Sequence, residues 1–160
     1  NPQPAFFNRG YEWWLIKEAK KRNPDIKIEI LQWGIPGWID NFYSETNASF
    51  IIGYLKGLEK HHGITVDYTG IHNEVMYDKD WIKRLREKLD KNDLGHVKID
   101  AGDLWKPEVQ WQIAGDIAAD AELREAVSVI NAHVPELINF YLLPEANTQG
   151  IPIWSGESHA

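Results

Sequence analysis

Two glutamates stand where an apolar run gives way to polar residues. Glu74 ends the stretch Tyr68-Thr69-Gly70-Ile71-His72-Asn73-Glu74, and Glu157 ends Ile153-Trp154-Ser155-Gly156-Glu157. Carboxylates brought together from separate strands are the equipment of glycosidic bond cleavage: one protonates the departing oxygen, the other attacks the anomeric carbon or activates water. Asn73, directly before Glu74, can bind a sugar hydroxyl while its neighbour reaches the glycosidic oxygen. Trp33 and Trp38, in Gln32-Trp33-Gly34-Ile35-Pro36-Gly37-Trp38, offer flat apolar faces of the kind sugar rings stack on, with Trp33 nearer the strand end. Three further candidates for holding substrate, His72, Asp103 and His133, stand at the same kind of boundary. Taken singly these signals are weak. A lone glutamate at a loop start is usually only solvated, Asn-Glu also opens helices, and a Pro-Gly turn packs aromatics for purely structural reasons.

Other chemistries lack their residues. The six histidines show no metal-ligand spacing such as H-E-x-x-H. Ser155 lacks the G-x-S-x-G elbow of a nucleophilic serine. No G-x-G-x-x-G or G-x-x-x-x-G-K-[ST] fingerprint marks a dinucleotide or phosphate site, so no cofactor is expected. With no cysteine there is neither a disulfide framework nor a thiolate site. His61-His62 ends a helix, where imidazoles complement the dipole. Asn47-Ala48-Ser49 forms a glycosylation sequon.

The elements that must position these residues alternate. Helices are predicted over residues 9–22, 46–62, from Asp78, and from Pro107; strands over Ile26–Leu31, Val66–Ile71, Val97–Ala101, Val127–Ala132 and Ile151–Trp154. Asn23-Pro24 stops the first helix and Gly63 closes the second. Residues 136–149 are ambiguous, because Pro144 breaks a helical pattern. Trp13, Trp14 and Trp81 fall on helix faces as core candidates, whereas Trp154 serves core or site; Asp120, Glu122, Arg124 and Glu125 form a solvated helical face. Alternating strands and helices imply a parallel sheet with right-handed crossovers. An eight-fold barrel would set its chemistry at the C-terminal strand ends, where the polar residues stand.

Composition narrows the partners. A chain of 160 residues suits one domain with a proper core. Its net charge of −7 leaves no basic footprint for nucleic acid or an anionic membrane. No apolar run is long enough for a transmembrane segment.

The block Gly10-Tyr11-Glu12-Trp13-Trp14-Leu15-Ile16-Lys17-Glu18-Ala19-Lys20-Lys21-Arg22-Asn23-Pro24, the Trp33…Pro36-Gly37-Trp38 segment, Asp67-Tyr68-Thr69-Gly70-Ile71-His72-Asn73-Glu74 and Ile153-Trp154-Ser155-Gly156-Glu157 together resemble glycoside hydrolase family 59. Val97-Lys98-Ile99 with Leu104-Trp105, and Asn131-Ala132-His133, follow in the expected order. The resemblance implies a (β/α)8 barrel of TIM type and a retaining mechanism on β-galactosides, galactosylceramide-like glycolipids among them. It implies Glu74 as acid/base, Glu157 as nucleophile, Asn73 on the hydroxyl at sugar carbon 2, and Trp33 in the sugar pocket. His72 stands where the family carries tryptophan, which alters the subsite floor. The five strands correspond to strands three to seven. Strands one, two and eight and the accessory domains are absent, so 1–160 is expected to be one incomplete barrel segment needing the rest of a parent enzyme, secreted or lysosomal. A β-glucosidase or β-xylosidase of the same clan, and a non-catalytic carbohydrate-binding fragment, are the alternatives.

Overall fold

The computed structural model describes residues 7–106, 108–133 and 150–157. Its elements run α1 (Glu12–Arg22), β1 (Glu29–Ile30), α2 (Glu45–His62), β2 (Tyr68–Thr69), α3 (Lys79–Asp90), β3 (Lys98–Leu104), α4 (Gln112–Ala119), α5 (Ala121–Ala126), β4 (Val127–Ala132) and β5 (Ile153–Ser155). The five strands lie side by side in chain order, every neighbouring pair parallel. Among the described residues, α2 links β1 to β2, α3 links β2 to β3, and α4 and α5 link β3 to β4, as parallel neighbours joined by helical crossovers require. The sheet curls: Tyr68 of β2 and Trp154 of β5 meet edge to face at 4.6 Å although two strands separate them. The result is a curled half-barrel, an incomplete (β/α)8 segment.

Local signals explain the elements. Ser44 caps α2 by accepting from the Asn47 amide N–H, and Gly63 ends it in the left-handed conformation (φ 64°) that a side chain would resist. Asp78 caps α3 by accepting from the Trp81 N–H at 2.8 Å. Trp81, Ile82, Leu85 and Leu89 form the buried stripe of α3, and the Trp81 indole N–H donates to the Ser44 carbonyl, tying α3 to the start of α2. Outward residues of the strands, among them Ile99, Ala101, Ile130 and Ala132, join this helix-side core. The alternate residues Asp100, Asn131 and His133 are buried and polar, on the side where the site forms.

Several expectations change. Trp14 is exposed and not core; Trp13 is half-buried, stacked on His62 at 4.5 Å. The histidines at the end of α2 therefore pack against aromatics, His61 on Phe7 and His62 on Trp13. Pro107 lies outside the described residues, and the helix placed there begins at Gln112. The acidic stretch after it is a separate short helix, α5, capped by Asp120 accepting from the Leu123 N–H. Residues 136–149 also lie outside the described part. The sequon is closed by packing: Asn47 is buried inside α2 and exchanges two amide hydrogen bonds with Gln32, at 3.2 and 3.0 Å. No described helix is long and apolar enough to cross a membrane.

Candidate active site

Backbone hydrogen bonds continue past the strand ends and fix the rim. The Asn73 N–H donates to Gln32 O (3.2 Å), Glu74 N–H to Asp103 O (3.1 Å), His133 N–H to Leu104 O (3.4 Å) and Gly156 N–H to Ala132 O (2.9 Å). Each functional candidate is thereby held by the strand beside it. Gln32 is doubly engaged, since its side chain grips Asn47 of α2 while its carbonyl receives Asn73.

One imidazole collects three carboxylates. His133 is 1% exposed, with Glu74 Oε1 at 3.4 Å from Nδ1, Asp103 Oδ1 at 3.0 Å from Nε2 and Glu157 Oε1 at 4.0 Å from Nε2. Asp103 and the Nε2 edge of the ring are close without an aligned hydrogen bond, so this contact is charge proximity. Glu74 and Glu157 both remain partly open to solvent, whereas Asp103 is buried. Burial pushes the Asp103 carboxyl above its ordinary range; His133 pulls it back, and Glu157 and Glu74 push it up again. Glu74 (φ 58°) and Asp103 (φ 48°) both adopt left-handed backbone that side-chain-bearing residues rarely take. Strain of this kind gathers where surrounding structure dictates a pose.

The other candidates are distributed around this cluster. Trp33 is 73% exposed on the loop after β1, and Trp38 is exposed there too, edge-on to Phe50 of α2. His72 stacks flat on Phe42 at 3.6 Å; burial lowers its basicity, partly offset by a bond to the Trp33 backbone. Asn73 keeps a buried side-chain oxygen without a protein partner, next to Glu74. The structure thus gathers Glu74, Asp103, His133 and Glu157 around one ring, and leaves Trp33, Trp38 and His72 outside that cluster.

Sequence reasoning missed Trp105. It is half-exposed just past β3 and lines a cleft of about 260 Å³ with Glu74, Met76, Leu104, Lys106 and Val109. The signal was the same one that singled out Trp33, an aromatic residue after an apolar strand. It was hidden because β3 runs to Leu104 and not to Ala101.

Space beside the nucleophile candidate is tight. A Cβ on Gly156 would stand 2.4 Å from Asn131 Oδ1 and 2.8 Å from Asp103 Oδ1. Gly156→Ala should therefore push the Glu157 loop off the rim. A crystal structure of the variant should show that displacement, while circular dichroism stays unchanged.

A second acidic pair joins the buried Asp100 to Glu29, which is exposed on β1 at the edge of the sheet. Burial and the neighbouring Glu29 raise Asp100 to about 8, and burial raises Glu29 as well. A carboxyl raised on folding binds its proton more tightly in the native state. Its contribution to stability is whole below the unfolded value of 3.8 and is lost as pH climbs through about 8. Stability should fall across that window by up to about 1.4 kcal/mol per pH unit for one proton. Asp100→Asn should flatten the decline; melting temperatures of both proteins across the window check it.

A curled α/β half-barrel with an acidic cluster at the C-terminal strand ends is a segment of (β/α)8 type, an architecture whose enzymes carry their chemistry at that rim. Residues 2–160 match the family model described as Glycosyl hydrolase family 59, and the chain belongs to that family. It is 40% identical over 156 residues to a galactocerebrosidase of Mus musculus, a match covering 93% of this chain and 22% of the relative. It is 39% identical over 161 residues to a galactocerebrosidase of Salmo salar (96% and 23%) and 38% identical over 156 residues to that of Homo sapiens (93% and 22%). The chain thus spans between a fifth and a quarter of the length of these curated relatives.

Proposed function

We propose that the protein carrying this chain is a retaining glycoside hydrolase that cleaves β-galactosides, galactosylceramide-like glycolipids among them, by double displacement. The observation that carries the reading is the shared imidazole: His133 meets Glu74 at one nitrogen and Glu157 at the other. Membership of family 59 and the name galactocerebrosidase borne by the relatives support the substrate class.

In the first step a Glu157 oxygen forms a bond to the anomeric carbon as the glycosidic bond breaks, and Glu74 gives its proton to the leaving oxygen. In the second, Glu74 takes a proton from water, whose oxygen displaces Glu157 and returns it as carboxylate. This geometry needs carboxyl groups about 5–5.5 Å apart; inversion needs about 6.5–9.5 Å. Asn73 binds the hydroxyl at carbon 2, and Trp33 lies against the sugar face. His72 shapes the floor below, and Trp38 extends the aromatic rim. His133 draws Glu74 and Glu157 to its two ring nitrogens, and Asp103 lies against the Nε2 edge of the same ring, where both residues can also meet substrate. The remainder of the parent enzyme closes the barrel around the sugar, and a secreted or lysosomal setting fits this substrate class.

The test is a 2-deoxy-2-fluoro-β-galactosyl inactivator applied to the full-length protein, with the labelled peptide identified by mass spectrometry. A label on Glu157 is expected. A protein that binds galactosides but is never labelled and never turns over an aryl galactoside would be a carbohydrate-binding protein instead. A panel of aryl glucosides and xylosides separates the galactosidase from its clan relatives.

A further inference from the structure

The inner face of the sheet holds a carboxyl pair that the double displacement leaves unused. Glu29 of β1 and Asp100 of β3 meet over Gly70, which follows β2; a Cβ on Gly70 would stand 3.3 Å from an oxygen of each. A side chain here would strike Leu31 Cδ1, 2.5 Å from that Cβ, and crowd both acids, so the bare backbone leaves all three room. Two bare carboxylates offer only acceptors, so a pair in hydrogen-bonding contact needs a proton between them. The same oxygen that faces Gly70, Asp100 Oδ2, accepts from the Asn131 amide at 3.1 Å. That bond fixes which way the Asn131 amide faces, and its Oδ1 is turned onto Gly156, the residue before Glu157.

We propose that Asp100 and Asn131 form a positioning relay for Glu157, held by a single proton shared between Asp100 and Glu29. The relay rests on the reading of Glu157 as nucleophile. The groups acting on Asp100 among the described residues are Glu29 from β1, Asn131 from β4 and Asp103 from its own strand; Asp103 in turn faces His133, Glu74 and Glu157. None of those acting directly on Asp100 is a cation. Loss of the shared proton therefore sets two like charges against each other over Gly70. Asp100 then moves, Asn131 follows, and the wall that Asn131 Oδ1 forms against Gly156 shifts, leaving the Gly156 N–H bond to Ala132 O to hold the loop. Asp100 and Asn131 touch no reacting atom; they act only through the loop that presents Glu157.

The experiment measures the rate at which the 2-fluoro galactosyl inactivator labels Glu157 in the full-length protein, from acidic pH to above the titration of Asp100. Asp100→Leu should slow labelling about 100-fold, the cost of a misplaced reacting group. Asp100→Asn keeps an uncharged group of the same shape; it should restore most of the rate at acidic pH and hold it at alkaline pH, where the parent protein declines. Asn131→Ala should match the loss in Asp100→Leu, and the double variant should be no slower than either single, as members of one relay require. Labelling of Glu157 at the parental rate in Asp100→Leu and Asn131→Ala, or losses that add in the double variant, overturns the relay alone. A parental label on some other residue overturns the nucleophile assignment and the relay with it. Should Asp100→Leu not fold, Asn131→Ala and the pH profile of Asp100→Asn decide the matter.

Discussion

Glu157→Gln should stop turnover of every galactoside, activated or not, by a factor on the order of 10⁴ or more. The amide that replaces the carboxylate has the same shape and keeps the loop seated against Asn131 and Asp103. It has no charge with which to attack the anomeric carbon, and no step of the double displacement proceeds without that bond. The loss should appear in kcat with good and poor leaving groups alike, and binding of a galactose-like inhibitor should change little. Residual turnover that depended strongly on the leaving group would move the nucleophilic role elsewhere in the cluster around His133.

Glu74→Gln should split substrates into two sets. With an alkyl leaving group, cleavage should slow by about 1,000-fold, because the departing oxygen needs a proton and general acid catalysis is worth roughly 100- to 10,000-fold. With a nitrophenyl-type leaving group that departs as a stable anion, the first step should be nearly unaffected. The galactosyl-enzyme should then accumulate, since no base activates water, and a burst of phenolate followed by slow turnover is the expected trace. Azide added to Glu74→Ala should relieve the block by attacking without deprotonation, releasing galactosyl azide. Equal losses on both kinds of substrate would count against the division of labour.

Much of the fold was legible because its signals are local. Asp78 caps α3 and Gly63 ends α2 as their residue types dictate, and Val127–Ala132 is a strand with the bounds its apolar run gives. The chain order of a wholly parallel sheet followed from strands alternating with helices. What was not legible depends on neighbours. Three residues at the end of β3, Gly102-Asp103-Leu104, look like loop in sequence yet are strand, because β4 pairs with Gly102 and Leu104 across a register shift at Asp103. Trp105 was hidden by that error. Trp14 was assigned to the core from its place in a helix, but α1 turns it to solvent. The site candidates Glu74, Asp103, His133 and Glu157 were found as strand endings, but nothing in their spacing says that one ring touches all three carboxylates. The Glu29–Asp100 pair was invisible for a similar reason: the residues are 71 positions apart and meet only because Gly70 lies between their strands.

Glu74 sits in a backbone region suited to glycine, at φ 58°. A glycine there would relieve a conformational cost of about 1 kcal/mol or more, and selection for robustness alone would favour it. Glu74→Gly should accordingly melt higher than its parent while being chemically inert toward alkyl galactosides. Asp103 (φ 48°) occupies the same region, so two neighbouring acids of the rim both hold a backbone pose that glycine would take at less cost.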